Sequence, residues 1–167
     1  MRFGKPLANT FDADPVAADE SGAAPLIDDD VRFVGATLGL SEQQLIPALL
    51  LRTQASARQR LLSGERLPGA GFEAWLEQLR GSTEAVALLE APGSLHDGLL
   101  HGLSLGQLAR ALDAPALLVH AWSDSFSLEP LLAAQDQLGD HLAGVVLNAV
   151  DPEAVSCLLY TSDAADE

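Results

Sequence analysis

The chain has 167 residues, and its 24 Asp and Glu residues against 9 Lys and Arg residues give a formal net charge of −15. Its length fits one globular domain. An electrostatic field this negative repels the phosphates of nucleic acids and anionic membrane surfaces. Neither nucleic acids nor such membranes are therefore expected as partners.

The first predicted element is a short strand within residues 2–7 that runs into Lys5-Pro6. A strand at this position normally follows another strand with which it pairs, so we expect the chain to open inside a domain. Residues 8–30 come next, with seven acidic residues, no basic residue and two prolines. They are predicted to form a long exposed acidic loop.

Helical periodicity begins at Asp30, where Asp28 to Asp30 supply the N-terminal cap and Gly39 supplies the stop. Further helices are predicted at residues 52–62 and 72–79, because each carries a helical pattern that ends at a glycine. Between the first two, Ser41 and Gln44 have the spacing of a capping box, and Pro47 keeps that segment short.

From residue 84 the apolar pattern changes period. Residues 84–90 and 116–120 are short apolar runs, typical of strands that are covered on both faces, and 142–147 is a further strand. Helices are predicted between them at 104–112 and 128–138, the first with Ser104 and Gln107 as a capping box. The alternation predicts an α/β fold with three layers, a mostly parallel sheet with helices on both faces.

Polar side chains follow the predicted strands. Lys5, Glu90, Asp124 and Asn148 each stand at or just beyond a strand end. Because ligands of open parallel sheets bind beyond the carboxyl ends of the strands, these exits are the candidate site.

The last eleven residues, 157–167, follow no pattern set before them and hold the only cysteine and the only tyrosine of the chain. One back-translation resembles the adapter used in transposase-based DNA libraries. We therefore expect the natural sequence to end near residue 156. No secretory signal or membrane-spanning run is predicted either, so the expected compartment is the cytoplasm.

Five motifs follow one another in a fixed order: Gly4-Lys5-Pro6, 28–33 (Asp-Asp-Asp-Val-Arg-Phe), 86–93 (Val-Ala-Leu-Leu-Glu-Ala-Pro-Gly), 105–119 and 144–148 (Gly-Val-Val-Leu-Asn). Their order and spacing resemble the N-terminal domain of phosphotransacetylase-family proteins. In that family a dethiobiotin-synthetase-like P-loop domain precedes a DRTGG domain. The resemblance covers residues 1–155 and implies a P-loop NTPase-like fold that binds Mg²⁺ and ATP.

The resemblance also implies roles for four residues. Lys5 is similar to the catalytic lysine that faces the nucleotide phosphates, and Asp30 and Glu90 are similar to the acids that hold Mg²⁺. Asn148 is similar to the asparagine that reads the nucleotide base. Each has a plainer alternative: a surface lysine, a helix cap, a solvated strand end and a turn residue, respectively. Ala91 departs from the glycine that follows the family's glutamate.

The phosphate-cradling motif G-x-x-x-x-G-K-[ST] does not occur in the chain. The family places that loop, with its strand and helix, directly before Gly-Lys-Pro. We therefore expect a domain truncated at both ends that lacks the first strand, the P-loop and the first helix, and that is inactive by itself.

Two functions remain open at this point. The first is a fragment of a Mg-ATP-binding domain, whose full-length protein would be an ATP-dependent ligase-like or phosphate acetyltransferase-like enzyme. The second is a non-catalytic regulatory or assembly module of a phosphate-acetyltransferase-like protein. The resemblance implies a nucleotide and a downstream domain of the same chain as partners, and it leaves a homo-oligomer open.

Overall fold

The computed structural model describes residues 1–8, 27–64, 68, 71–81, 86–152 and 155. Most of the predicted acidic loop and all of residues 157–167 lie outside this part. The chain divides into two compact units, Met1–Leu112 and Asp113–Glu167.

The described residues form short parallel strands and five α-helices. The strands are β1 (Arg2–Gly4), β2 (Leu7–Ala8), β3 (Leu45–Ile46), β4 (Leu50–Leu51), β5 (Ala87–Leu89), β6 (Ala116–Ala121) and β7 (Leu142–Asn148). The helices are α1 (Asp29–Thr37), α2 (Gln54–Ser63), α3 (Phe72–Arg80), α4 (Leu105–Leu112) and α5 (Glu129–Leu138). The mixed α/β class predicted from the alternation is confirmed at this level.

In the first unit, β1 is the central strand of a three-stranded parallel sheet with the order β3-β1-β5. Gly4 is in register with Ile46 on one side and with Leu89 on the other. Strands β2 and β4 form a second parallel pair. The three strands of the first sheet therefore run in the same direction. Lys5 directly follows β1, and Glu90 directly follows its neighbour β5.

The core of the first unit lies where α3 and α4 meet the short strands. Its buried residues are Leu7, Ile46, Phe72, Trp75, Leu76, Leu103 and Leu108. The rings of Phe72 and Trp75 stack with their centroids 6.0 Å apart. The indole N–H of Trp75 donates to the backbone oxygen of Pro47 at 3.2 Å, so burial of this ring leaves its polar atom satisfied. A smaller cluster of Phe3, Val31 and Leu45 packs α1 against the sheet.

The predicted helix ends are confirmed where a local residue determines them. Asp28 caps α1, because its carboxylate accepts from the backbone N–H of Asp30 at 2.9 Å. Gly64 ends α2 with a φ of 68°, a left-handed conformation that suits glycine, and Gly81 ends α3. The Ser41 capping box is also present, but it opens only a 3₁₀ turn at residues 42–44.

The capping box before α4 supports a stability prediction. Ser104 is fully buried, its hydroxyl lies 2.9 Å from the side-chain oxygen of Gln107, and the Gln107 N–H donates back at 3.4 Å. We expect Ser104→Ala to lower the free energy of unfolding by about 1 kcal/mol, measured by urea denaturation. Ser41→Ala, in the exposed box, is the control and should cost less. Equal costs would contradict a special role for the buried box.

The second unit contains a parallel pair, β6 and β7, with Val119 opposite Val146. The expectation that 116–120 is a buried strand is wrong: Leu117 and Val119 are 64% and 71% exposed, while Ala116 is buried. The same correction applies to β5, where Leu88 is 47% exposed. An unbroken apolar run is compatible with a strand that is buried on both faces. Alternate residues of a strand point to opposite faces, however, and only one face is covered here.

No helix among the described residues is both long enough and apolar enough to cross a bilayer.

Candidate functional site

A buried ion-pair cluster lies at the end of β1. The ammonium of Lys5 is 2.8 Å from the Asp30 carboxylate and 3.1 Å from the Glu90 carboxylate. The lysine side chain is only 5% exposed, whereas those of Asp30 and Glu90 are 67% and 42% exposed. The buried ammonium of Lys5 therefore contacts two carboxylates that are themselves accessible to solvent. We call Lys5, Asp30 and Glu90 the Lys5 cluster.

Parallel pairing brings Lys5 and Glu90 together. Gly4 and Leu89 are register partners in β1 and β5, and the Glu90 N–H donates to the Gly4 carbonyl at 2.8 Å. The residues after them leave neighbouring strands at the same edge of the sheet, the edge where ligands of parallel sheets bind. The sequence contained this information, because both residues directly follow predicted strands.

Helix α1 brings the third member of the cluster. Two acids at its N-terminus have different roles. Asp28 is buried and caps the helix, while Asp30, in the first turn, faces Lys5. Capping therefore explains Asp28 but does not account for the position of Asp30. The structure thus brings Lys5, Asp30 and Glu90 together, three of the four residues singled out by the resemblance.

The acids determine the protonation state of the lysine. Burial lowers the pKa of Lys5, but the hydrogen bonds to Asp30 and Glu90, with the charges of Glu90 and Asp28, outweigh it and raise the pKa above its ordinary value. The ammonium is therefore charged at neutral pH. Because the pKa is higher in the folded chain, this stabilisation is full below the ordinary lysine pKa and is lost as pH rises through the raised value.

Lys5 is also the only lysine of the chain, since the other eight basic residues are arginines. Sequence reasoning did not use this signal. The chain has 24 acids and one lysine, and that lysine is buried against two of the acids. Burial of a lysine is unusual, and it generally requires such a partner. The single ammonium also gives experiments on this site an unambiguous reporter.

The cluster suits a hard cation only in part. Mg²⁺ is held by one or two carboxylates together with phosphate oxygens and water, and Asp30 and Glu90 are two accessible carboxylates within reach of one atom. No group of three or more His, Cys, Asp or Glu side chains that could hold a metal is found among the described residues. The ammonium of Lys5 already takes the position between the acids, so a metal ion competes with it.

Asn148 belongs to the second unit, where it ends β7. Its side-chain oxygen accepts from the N–H of Ala149 at 2.8 Å, and Ala149 has a φ of 56°. These contacts are those of a turn residue, the plainer of the two alternatives. Its backbone oxygen accepts from the Trp122 N–H at 2.8 Å, which extends the β6–β7 ladder.

Sequence reasoning missed a second ion pair that anchors the loop after Glu90. Arg52 donates to the Asp97 carboxylate at 2.9 Å, and the other oxygen of that carboxylate accepts from the Ser94 N–H at 3.0 Å. The hydrogen bond from the Ser94 N–H is the largest cause that lowers the pKa of Asp97, and the charge and hydrogen bond of Arg52 add to it. Together they outweigh partial desolvation and hold this pKa below its ordinary value. The spacing of Ser94 and Asp97 was a local signal for the hydrogen bond between them. No local signal indicated Arg52, which lies 45 positions before Asp97 in the chain.

Comparison with models of known protein families, with curated proteins and with solved structures finds no match for this chain. The candidate site therefore rests on the geometry of the Lys5 cluster.

Proposed function

We propose that the Lys5 cluster is the magnesium- and phosphate-contacting part of a nucleotide site, in a P-loop NTPase-like domain of the phosphotransacetylase-family kind. The observation that carries the proposal is the buried Lys5 ammonium, held between two accessible carboxylates at the carboxyl end of parallel strands. A lysine and one or two acids at such an edge are the groups that neutralise and orient phosphates in phosphoryl transfer.

On this proposal, binding of the metal and binding of the phosphate are interdependent. Without phosphate, the Lys5 ammonium satisfies Asp30 and Glu90 and opposes a second cation. Without a metal, the two carboxylates repel an anionic phosphate. When both arrive, Lys5 can turn to the phosphate while Asp30 and Glu90 turn to the metal. Each ligand then relieves the electrostatic cost of the other, which is positive coupling between two bound species.

The chain as it stands is expected to bind Mg-ATP weakly or not at all. The backbone amides of a glycine-rich loop normally provide most of the contacts to the phosphates, and the 167 residues carry no such motif. Isothermal titration of the full chain with Mg-ATP measures this. The expected result is no heat of binding at micromolar ATP, and a micromolar Kd would contradict it.

Weak binding can still be located by NMR at millimolar ligand. We expect Mg²⁺ and ATP together to shift the amide signals of Lys5, Asp30 and Glu90 by more than the sum of the shifts that either causes alone. Asp30→Asn should remove most of this excess. Asp29→Asn, which removes an exposed carboxylate one residue away, should leave it unchanged. Additive shifts, or equal loss in both variants, would contradict the proposal.

A regulatory or assembly module is the second candidate, and one observation favours it. The Lys5 ammonium has two carboxylate partners within the chain itself, as in an ion-pair cluster that serves only to hold β1, β5 and α1 together. On this account Mg²⁺ with ATP leaves the amide signals of the cluster unchanged, while the substitutions still lower stability. The NMR titration therefore separates the two candidates.

A further inference from the structure

A histidine outside the Lys5 cluster is buried in the first unit. His101 ends the 3₁₀ turn Leu99–His101, which packs against α2, and the residue is 3% exposed. Its Nδ1 atom is buried and has no hydrogen-bond partner among the described residues. A neutral imidazole tolerates this environment at moderate cost, but an imidazolium carries a charge and a second N–H into it.

Two positive charges among the described residues act on His101. Arg60, itself buried on α2, and Arg52, which follows β4, both act on the imidazole. Asp97 is the nearby acid that pairs with Arg52. Burial first, and then the charges of the two guanidinium groups, hold the pKa of His101 below its ordinary value. The histidine is therefore neutral at neutral pH.

We infer that His101 is a pH-sensitive latch: its neutral imidazole keeps the Leu99–His101 turn packed on α2, and its protonation in mildly acidic solution releases that contact. Protonation would place a third positive charge near Arg52 and Arg60, on a residue that is only 3% exposed. Asp97 is bound to Arg52 and to the Ser94 N–H, and no ion pair between Asp97 and His101 is found among the described residues. Opening of the turn hydrates the imidazolium and separates it from Arg60.

The direction of the pH effect follows from the lowered pKa. The unfolded or opened chain takes up a proton near the ordinary histidine value, about 6.5, before the closed form does. The stability of the contact is therefore full above that value and falls as pH drops from it toward the lower pKa of the closed form. This is the opposite of a histidine that gains an acidic partner.

Hydrogen exchange on the full chain tests the latch. Between about pH 7.5 and pH 5.5, and after correction for the intrinsic exchange rate, protection of α2 and of the Leu99–His101 turn should fall severalfold in the wild type. His101→Gln, which cannot titrate, should show no such fall. His96→Gln, at an exposed histidine nearby, should behave as the wild type. Equal pH dependence in the wild type and in His101→Gln would overturn the inference.

A second measurement stands even if His101→Gln does not fold. In an NMR titration of the histidine ring protons, the midpoint of His101 should lie below the ordinary histidine value of about 6.5. Arg52→Gln should move the His101 midpoint upward, because one of the two guanidinium charges is removed and Asp97 is freed. A wild-type His101 midpoint at or above about 6.5, or no upward shift in Arg52→Gln, would overturn the latch.

Discussion

The double substitution Asp30→Asn/Glu90→Gln is expected to lower the free energy of unfolding by about 3 kcal/mol, because it leaves a buried charge with no adjacent counter-ion. The Lys5 side chain is 5% exposed, so water cannot replace the two carboxylates. Among the described residues, Asp28 remains as a further acid whose charge acts on the Lys5 ammonium. The pKa of Lys5 should fall below its ordinary value as a result, so the loss of stability should grow as pH falls from the ordinary lysine pKa to the lowered value and should be complete below it.

The reverse change should cost less. Lys5→Met keeps the buried aliphatic stem and removes the ammonium, which leaves Asp30 and Glu90 without a partner. Both acids are more than a third exposed and can be hydrated, so we expect a loss of about 1 to 2 kcal/mol. Breaking the same two ion pairs thus costs more when the acids are removed than when the lysine is removed, because only the lysine is buried.

Urea denaturation of the full chain, followed by circular dichroism, measures both losses. Asp29→Asn/Glu77→Gln makes the same chemical changes at two exposed acids and should stay within about 0.5 kcal/mol of the wild type. If Lys5→Met destabilises more than the double substitution, or if neither differs from the control, Lys5 is not held as a buried cation.

Gly4→Ala should destabilise the first unit by about 3 kcal/mol, the upper end of the range for overpacked positions. A Cβ atom at Gly4 would lie 2.4 Å from the Cβ of Ile46 and 2.9 Å from its backbone oxygen. Neither atom is the end of a flexible side chain, so β1 and β3 must separate. Because the Gly4 carbonyl accepts from the Glu90 N–H, the shift also reaches the Lys5 cluster.

Gly71→Ala is the matched control for this prediction. Among the described residues, an added Cβ at Gly71 would meet only the Leu49 side chain, at 3.7 Å, which is ordinary contact. Gly71 precedes α3, so the substitution is expected to cost less than about 1 kcal/mol. Thermal or urea denaturation compares the two variants. A Gly4→Ala protein within about 0.5 kcal/mol of the wild type would show that the strands are not this close.

The helix ends could be predicted because single residues determine them. Asp28, Gly64, Gly81 and Ser104 act on backbone groups within three or four positions, so their effect is visible in the sequence. The parallel class could be predicted for a similar reason, since alternating strand and helix patterns leave few other connections.

The exposure of the strands could not be predicted in the same way. The apolar runs that form β5 and β6 are compatible with cover on both faces, but cover depends on which other elements pack there. Leu88, Leu117 and Val119 are exposed although their sequence pattern is that of buried residues. The division of the chain between Leu112 and Asp113 likewise follows from long-range contacts, and the alternation of elements does not report those.

The candidate site was partly accessible from the sequence. Lys5 and Glu90 follow neighbouring strands, and parallel pairing is enough to bring them to one edge. That Asp30 faces Lys5 while Asp28 caps the helix depends on the direction of α1 relative to the sheet. The pairing of Arg52 with Asp97 depends on tertiary packing alone. Local patterns thus predict which residues are polar at the edge, and packing determines their partners.

The most direct test of the central claim is the ¹⁵N NMR signal of the Lys5 ammonium, which is unambiguous because the chain has one lysine. We expect a slowly exchanging signal with a raised pKa that barely responds to Mg²⁺ or to ATP alone and shifts when both are present. A rapidly exchanging ammonium with the pKa of a free lysine, or a signal that Mg²⁺ with ATP leaves unchanged, would contradict a phosphate-facing role for Lys5.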